Sequence, residues 1–238
     1  MEFDLSNVEL SYNDRKRGLI LPNKSSKELA EFMGILTGDG YINYYPSQYK
    51  YILEIAGHSK LDKVYLESYI SRLVKDLFNL ESSFSIKKGQ NSMYLRLISK
   101  GLITYLTKIG FKRGKKGQIE IPKWITSNEE LMLSFTKGMI DTDGSIHFRN
   151  SYPIISLSSK SKPLIQSIFS FLKDQNFILR NYYKEDRDDK RGFNSTIYRI
   201  WLNGDKNLSL WMKLINFGNK KHLDKLDRVG TERFELSI

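Results

Sequence analysis

The sequence predicts an α+β protein built from two copies of one unit, each with the order helix, strand, strand, helix, strand, strand, helix (αββαββα). The main observation is a short segment that occurs twice, FMGILTGDG at 32–40 and TKGMIDTDG at 136–144. The second copy follows the first by 104 positions, and flanking residues match at nearly the same spacing. Self-similarity at a fixed spacing indicates one ancestral unit that was duplicated and fused.

The elements of the first unit follow from hydrophobic periodicity and turn residues. Segments with apolar residues at helical spacing are separated by segments in which every second residue is apolar. The expected elements are a helix at 26–38, two strands within 41–56 around a turn at 46–48, an amphipathic helix at 61–78, strands at 83–87 and 92–98, and a short helix at 101–109. The second unit is expected to repeat this order.

These patterns divide the chain into five segments. They are an N-terminal extension at 1–24, a first repeat at 25–111, a basic linker at 112–126, a second repeat at 127–221 and a C-terminal tail at 222–238. No pattern in the extension indicates a role for it. The run KRGKKG at 112–117 is typical of a flexible basic connection between two units.

The composition limits the classes of function. The 238 residues include no cysteine, which excludes disulfides and thiolate metal sites. A formal net charge of +11 favours a polyanionic partner such as a nucleic acid. The sequence has no long apolar run and no secretion signal. We therefore expect no membrane partner and an intracellular protein, in the cytoplasm of a microbe or in an organelle.

Each copy of the repeated segment carries small residues at helical spacing. The stripe includes Ala30 and Gly34 in the first copy, and Ser134 and Gly138 in the second. Small residues allow two helix backbones to approach closely. We therefore expect the two motif helices to pack through Gly34 and Gly138, related by a pseudo-twofold axis.

Both predicted motif helices end at an aspartate followed by glycine, Asp39-Gly40 and Asp143-Gly144. A glycine there suits the left-handed conformation that often ends a helix. The helix dipole disfavours a carboxylate at this end by about 0.3–1 kcal/mol, and two such carboxylates near one axis repel each other. A divalent cation would reverse both effects, and Mg²⁺ suits oxygen ligands and phosphate substrates. Ordinary turns are the alternative, but the matched positions in matched helices favour a metal site.

The two motifs, their spacing and the surrounding order of elements resemble the LAGLIDADG homing endonucleases in their single-chain, two-repeat form. The segment IPKW at 121–124 also resembles the start of the second repeat in that family. The resemblance implies paired motif helices and antiparallel sheets that form a DNA-binding saddle on either side of the cut. The first motif has Thr37 where the family name has its first acid, which Asp141 keeps in the second, so the centre is expected to be asymmetric.

The resemblance also implies roles for individual residues. The last acid of each motif, Asp39 or Asp143, would bind metal together with the preceding carbonyl. Those carbonyls belong to Gly38 and Thr142. Two or three Mg²⁺ ions are implied, and Ca²⁺ is expected to bind without supporting cleavage. Residues at the end of the second strand would support the attacking water and the leaving group; they are His58 and Lys160, with Lys60 and Lys162 nearby.

Strand alternation adds candidates for DNA contact, although a solvated strand face is an equal alternative for any one of them. Arg96 and Arg199 occupy equivalent positions, where an arginine could pair with a guanine edge. The candidates are Lys50, Lys60, Lys87, Tyr94, Arg96, His147, Arg149, Lys162, Arg180, Tyr182, Lys184 and Arg199.

The resemblance implies a site-specific, Mg²⁺-dependent endonuclease that hydrolyses both strands of DNA at a long asymmetric target. Two unlike repeats in one chain imply a monomer, and the family implies intron homing. Met1 and the absence of cysteine favour a freestanding intron product over an intein insert. The alternative is an intron RNA maturase or a DNA-binding regulator on the same scaffold, with intron RNA as a further partner. Such relatives typically lose motif acids, whereas this sequence keeps both.

Overall fold

The computed structural model describes residues 1–87, 89–112, 118–188 and 194–235, with side chains as far as 228. The chain forms two compact units, Met1–Gly114 with Pro122–Gly138, and Lys115–Ile121 with Met139–Ile238. The boundary between them lies within the second motif helix. Most of the predicted KRGKKG linker lies outside the described residues. Within the described ranges, no helix combines the length and the apolar character needed to span a membrane.

Helices account for most of the described chain outside the sheets. A 3-10 turn lies at Pro46–Gln48, and the helix predicted at 61–78 begins with a π-helical segment at Tyr65–Ile70. The α-helices are α1 (Tyr12–Lys16), α2 (Lys27–Asp39), α3 (Ser71–Phe78), α4 (Lys100–Lys108), α5 (Lys123–Thr126), α6 (Glu129–Asp143), α7 (Lys162–Asp174), α8 (Asp205–Leu214) and α9 (Lys220–Glu235).

Each unit contains one four-stranded antiparallel sheet, and the predicted α+β class is confirmed. The strand orders are β1-β2-β4-β3 and β5-β6-β8-β7, so the two sheets have the same topology. The strands are β1 (Gly40–Tyr45), β2 (Lys50–His58), β3 (Ser83–Ile86), β4 (Ser92–Ile98), β5 (Gly144–Arg149), β6 (Tyr152–Ser159), β7 (Tyr183–Asp188) and β8 (Asn194–Asn203).

One face of each sheet is buried and the other is open. In the first sheet Leu53 on β2 lies opposite Leu97 on β4, and both are buried. In the second sheet Ile155 on β6 lies opposite Leu202 on β8, again buried. Because side chains alternate along a strand, the residues between these apolar positions form the open face.

The N-terminal extension is an integral part of the first unit. Asp14 on α1 is fully buried and accepts hydrogen bonds from Ser99 Oγ at 2.7 Å and from the Gly101 amide at 3.0 Å, at the start of α4. Burial alone would raise the pKa of Asp14, but hydrogen bonds from Ser11, Gly101 and Ser99 hold it below its usual value. Tyr105 on α4 also donates to the Pro22 carbonyl at 2.8 Å. The extension therefore folds onto the first sheet and its helices.

Candidate metal and nucleic-acid site

The first motif forms the centre of its unit. Along α2, nine of the thirteen residues are buried, including Phe32, Gly34 and Leu36. A helix that is apolar on all sides belongs in a core. The helix ends at Asp39, which is half-buried, and β1 begins at the next residue. The Asp39 carboxylate therefore lies where the buried helix ends and the first sheet begins.

The second motif ends in the same way. The helix α6 stops at Asp143, whose side chain is exposed, and β5 begins at Gly144. The carbonyls of Gly38 and Thr142 precede the two aspartates in the last helical turns. In each unit, the first strand of the sheet thus begins directly after the aspartate that ends the motif helix.

The glycines after the aspartates do not adopt the left-handed conformation expected for them. Gly40 has a φ of −78° and a ψ of 145°, which is extended backbone. A Cβ at Gly40 would lie 2.4 Å from the Leu36 carbonyl oxygen, and one at Gly144 would lie 2.5 Å from the Ile140 carbonyl oxygen. The prediction was wrong because these glycines allow a close approach to the last helical turn rather than a positive φ.

The backbone of α6 approaches that of α2 at Gly138, within the first unit. A Cβ at Gly138 would lie 2.3 Å from the Glu31 carbonyl oxygen and 2.8 Å from the Ile35 amide nitrogen. It would also lie 3.2 Å from the Gly34 carbonyl carbon. No larger residue fits at this position without separating the two helices.

A polar cluster accompanies this contact. The Lys137 amine on α6 lies 2.5 Å from a Glu31 carboxylate oxygen on α2, and the Tyr69 hydroxyl donates to the same oxygen at 2.6 Å. Burial, followed by the charge of Glu31, raises the pKa of Tyr69 to about 12. The cluster links both motif helices to the π-helical segment. Sequence reasoning missed it, although a lysine in the motif where the first copy has Met33 is a visible signal.

The position two residues before the terminal aspartate differs between the motifs. In α6, Asp141 is fully buried and accepts hydrogen bonds from the amides of Gly218 at 2.8 Å and Asn219 at 3.1 Å. In α2, Thr37 is also buried, and its hydroxyl donates to the Met33 carbonyl at 2.7 Å. Asp141 therefore ties α6 to the segment that leads into α9, whereas Thr37 bonds back to the preceding turn of its own helix.

His58 is oriented by the backbone at the end of β2. Its Nδ1 accepts hydrogen bonds from the amides of Lys60 at 3.2 Å and Leu61 at 3.3 Å, and its own amide donates to the Asp62 carboxylate at 2.8 Å. When Nδ1 accepts, the neutral ring carries its proton on Nε2. His58 can therefore donate a hydrogen bond through Nε2.

The corresponding residues of the second unit are exposed. Lys160 lies in the bend after β6, and Lys162 is the first residue of α7. Between them Ser161 caps α7 and exchanges hydrogen bonds with the backbone of Ile119 at 2.8 and 2.9 Å. Lys60 in the first unit is exposed as well.

The open face of the first sheet carries polar side chains in register. Arg96 on β4 lies opposite Glu54 on β2 and forms an ion pair with it at 2.6 Å. Tyr94 is half-buried on the same face, while Lys50, the first residue of β2, and Lys87, which follows β3, are exposed. Arg96 would have to exchange its carboxylate partner to contact a base.

The open face of the second sheet is arranged similarly. Arg199 donates to Ser158 Oγ at 2.8 Å and lies 3.5 Å from a Glu185 oxygen. His147 and Arg149 on β5 are exposed. Arg96 and Arg199 therefore occupy matching open-face positions.

Of three further contact candidates in the second unit, Tyr182 and Lys184 lie off the open face, whereas Arg180 lines a pocket with Tyr183 and Trp201. Arg180 and Tyr182 precede β7, which begins at Tyr183, and Tyr182 accepts a hydrogen bond from Gln166 on α7 at 3.0 Å. Lys184 lies opposite Tyr198, in phase with the buried Ile200. The predicted strand phase was wrong by one residue, because β7 has no alternating apolar residues to define it.

The correct phase brings an unpredicted aromatic pair onto the open face. Tyr183 lies opposite Arg199, and its ring centroid is 4.4 Å from that of Trp201. The Arg199 guanidinium lies 5.9 Å from the same indole ring. The position of Trp201 two residues after Arg199 was the available signal.

The oxygen donors at the ends of α2 and α6 fit a hard divalent cation. Each end offers a carboxylate, from Asp39 or Asp143, together with backbone carbonyls. In the described part of the chain, no three or more histidine, cysteine, aspartate or glutamate side chains cluster in a way that could hold an ion. A hard divalent cation held at either end by so few protein oxygens would keep several waters and take phosphate oxygens as further ligands.

A family model described as a LAGLIDADG-like domain matches residues 130–216. A tRNA-splicing ligase RtcB from Pyrococcus abyssi is 27% identical over 88% of this chain and 23% of its own length. An uncharacterized protein of Methanocaldococcus jannaschii is 24% identical over 79% and 72%. The replication factor C small subunit of that organism is 27% identical over 87% and 10%. The chain thus spans under a quarter of the first and third of these relatives.

Solved structures share the fold. The homing endonuclease I-DmoI in complex with DNA and Mn has a TM-score of 0.52 at 20% identity, covering 80% of this chain and 96% of that one. I-WcaI, a homing endonuclease bound to its DNA recognition sequence, has a TM-score of 0.51 at 17% identity, covering 86% of each chain. DUF199/WhiA from Thermotoga maritima has a TM-score of 0.51 at 16% identity, covering 90% and 63%. The chain therefore has the fold of the LAGLIDADG homing endonucleases and carries a LAGLIDADG-like domain at residues 130–216.

Proposed function

We propose that this protein is a site-specific endonuclease that cuts double-stranded DNA by metal-assisted phosphodiester hydrolysis. One observation carries the proposal: each motif helix delivers an aspartate, Asp39 or Asp143, to the start of a sheet with an open polar face. Neither carboxylate lies in the core, since Asp143 is exposed and Asp39 half-buried. The net charge of +11 supports a polyanionic substrate.

Asp39 and Asp143 would hold divalent ions, with the carbonyls of Gly38 and Thr142 as further ligands. When bound, such an ion supplies a Lewis acid that activates water and stabilises charge on the scissile phosphate. We propose Mg²⁺ as the working ion, with two or three ions in the centre, and Ca²⁺ as an ion that binds without supporting cleavage. I-DmoI has been solved with Mn, Ca and Mg.

His58 and Lys160 would act on the substrate beside the two carboxylates. Two backbone amides donate to Nδ1 of His58, which leaves Nε2–H as the group that would donate a hydrogen bond to a phosphate or leaving oxygen. Lys160 would supply a positive charge from its exposed amine. Lys60 and Lys162 would hold neighbouring phosphates.

The two open faces would read a long asymmetric target. Arg96 and Arg199 suit guanine edges, and the side chains around them differ, with Glu54 opposite the first and Ser158 opposite the second. Two unlike reading faces in one chain support a monomer on an imperfect palindrome. The remaining contact candidates would hold phosphates or bases at the borders, and they are Lys50, Lys87, Tyr94, His147, Arg149 and Arg180.

We propose intron homing as the biological role and the cytoplasm of a microbe or an organelle as the place of action. The relatives support mobility of the segment rather than an intron as its carrier, because the matches cover a small part of much longer proteins. A ligase, a replication factor subunit, an ATP synthase subunit and a DNA polymerase each match this chain over 9–23% of their length. A segment shared by proteins with such different names is separable from their own activities, as expected of a mobile element. We also propose that the chain is divided into the extension, two repeats, linker and tail described above.

An intron RNA maturase or a DNA-binding regulator is the second candidate. The fold is also that of DUF199/WhiA, so the scaffold does not determine the activity. Retention of both Asp39 and Asp143 favours the nuclease, because a binding protein has no need of paired acids at these positions.

The test is cleavage of a randomised duplex library in Mg²⁺, with Asp39→Asn and a Ca²⁺ reaction in parallel, followed by sequencing of the cut ends. We expect one long asymmetric site from the wild type in Mg²⁺ and none in either control. Absence of any enriched site, together with tight binding of structured intron RNA, would transfer the assignment to the maturase.

A further inference from the structure

A second candidate site lies where the N-terminal extension meets the first sheet. A pocket of about 650 Å³ opens between α1, the turn between β1 and β2, and the segment from β4 to α4. We call it the distal pocket, because it lies at the end of the sheet opposite Asp39 and His58. All of its walls belong to the first unit.

The distal pocket combines positive charge with exposed aromatic rings. Among the described residues that line it, Lys16, Arg17 and Lys100 are cationic and none is acidic. Tyr12 is 74% exposed and Tyr49 is 87% exposed. Phosphates bind such cations, while tyrosine rings can pack on sugars.

The walls of the pocket are held in place by hydrogen bonds, and those that Asp14 accepts from Ser99 and Gly101 are buried. Asp14 ties α1 to the start of α4 through Ser99 and Gly101. Arg17 donates to Asp14 at 3.0 Å and to the Ile98 carbonyl at 2.7 Å, which joins α1 to the end of β4. The extension is therefore a fixed wall rather than a loose basic tail.

The cations differ in how far the fold already uses them. Arg17 is occupied by its hydrogen bonds to α1 and β4. Lys100 forms an ion pair with Glu9 and lies 5.6 Å from the centre of the Tyr51 ring. Lys16 is exposed, and in the described part of the chain no carboxylate is found within ion-pair distance of it. Lys16 is therefore the cation best placed to bind an external anion.

We propose that the distal pocket binds the sugar-phosphate backbone of duplex DNA flanking the target on the side of the first repeat. This proposal rests on the proposed endonuclease function. Lys16, supported by Lys100, would contact phosphates, and Tyr12 and Tyr49 would pack against the adjoining sugars. The pocket extends the footprint without reading bases.

The length of the sheet sets where this contact begins. β1 has six residues, and at about 3.3 Å per residue it reaches about 20 Å from Asp39. At about 3.4 Å per base pair, this distance corresponds to about six base pairs. With β1 lying along the DNA axis, the pocket would contact DNA from about six base pairs outward from the cut.

The experiment compares duplexes of different flank length, built on the target recovered from the library. One duplex ends about six base pairs from the cut, and others carry about ten further base pairs on one side or the other. Binding in Ca²⁺ is measured at several salt concentrations for the wild type, Lys16→Ala and Tyr12→Ala. Lys206→Ala is the matched control, since Lys206 is an exposed lysine at the start of α8.

We expect extension of one side alone to tighten wild-type binding. On that duplex Lys16→Ala should weaken binding by about 3–10-fold and lower the slope of log affinity against log salt by about 0.9, as expected for one lost phosphate contact. On the short duplex Lys16→Ala should bind like the wild type. Tyr12→Ala should show the same dependence on flank length with an unchanged salt slope.

Two results would overturn the inference: an equal loss on short and long duplexes, or an equal loss for Lys206→Ala. A wild type that binds and cuts the target but ignores flank length would refute the distal contact alone. A wild type that binds no duplex of any length would instead refute the endonuclease function.

Discussion

The two motif helices deliver the same carboxylate by the same route but are held by different residues. Both α2 and α6 end in aspartate, and in both a glycine allows the chain to turn directly into a strand. Two residues earlier they diverge. Asp141 is a buried anchor for the backbone of the segment before α9, whereas Thr37 bonds back within its own helix.

This difference indicates that the terminal position of the motif and the position two residues earlier have different roles. The terminal aspartates are half-buried or exposed, so packing in the core does not determine them, and their repetition points to chemistry. The earlier position is buried in both copies, so the residue type at this position depends on the groups that surround it in each unit. In the second unit that neighbour is a segment with two backbone amides to satisfy, and a carboxylate can accept from both.

The largest expected effect belongs to the terminal aspartates. Asp39→Asn or Asp143→Asn should reduce double-strand cleavage by about 10³-fold or more, since loss of a metal ligand removes several kcal/mol of charge stabilisation. Affinity for the target in Ca²⁺ and the melting temperature should stay near those of the wild type. Single-turnover cleavage assays provide the measurement, and Asp174→Asn, exposed on α7, is the control. Cleavage at the wild-type rate by either variant would sink the metal assignment.

The next effect concerns stability rather than activity. Asp141→Ala should lower the free energy of unfolding by about 4 kcal/mol, because the buried Asn219 amide and the half-buried Gly218 amide lose their acceptor. Asp143→Ala, a truncation of the same residue type at an exposed position, should change it little. Urea unfolding of both variants is the measurement. Equal stability of the two variants would show that the anchor role is misassigned.

Close packing of the helices gives the third effect. Gly138→Ala should destabilise the protein by about 3 kcal/mol, since the added methyl group would lie 2.3 Å from the Glu31 carbonyl oxygen. Ser134→Ala, one turn earlier on α6, is the matched control and should be nearly neutral. An unchanged melting temperature for Gly138→Ala would refute the backbone contact between α2 and α6.

The fold could be predicted from the sequence wherever one face of an element is buried. Alternation at Leu53, Ile55 and Leu97 defines β2 and β4, and these strands appear almost as expected. β7 reads YKEDRD, which has no apolar residue to place on the core side. Its phase depends on pairing with β8, so the wrong face was expected for Lys184.

The sequence predicts only those residues of the candidate site that occur in both copies of the motif. Duplication singles out Asp39 and Asp143, but the buried role of Asp141 depends on amides 77 and 78 positions further along the chain. The glycine after each aspartate was correctly noted but wrongly explained, because glycine serves both positive φ and close approach. Only the conformation distinguishes the two.

The first unit has its own buried anchor, and its titration gives the fourth prediction. Because the pKa of Asp14 is held below its usual value, its charged form stabilises the protein above the unfolded pKa near 3.8, and this contribution is lost as the pH falls through the folded pKa. Asp14→Asn should lose about 2 kcal/mol at pH 7. Its stability should then fall less steeply than that of the wild type below pH 4.

Unfolding by urea at a series of pH values from 7 to 3 measures both effects. Asp174→Asn, at an exposed carboxylate, should keep the wild-type acid slope. Parallel slopes for Asp14→Asn and the wild type would mean that Asp14 does not anchor the extension through its charge.

The smallest effect tests the comparison most directly. Thr37→Val keeps the size of the side chain and removes only the hydroxyl that donates to the Met33 carbonyl at 2.7 Å. That carbonyl also lies within the backbone hydrogen bonding of α2, so the free energy of unfolding measured in urea should fall by about 1 kcal/mol or less. Cleavage should be retained. The matched change in the second motif, Asp141→Ala, should cost several times more. Equal losses would mean that both motifs need a polar side chain at this position for a shared reason, and the division between a chemical and a structural position would fail.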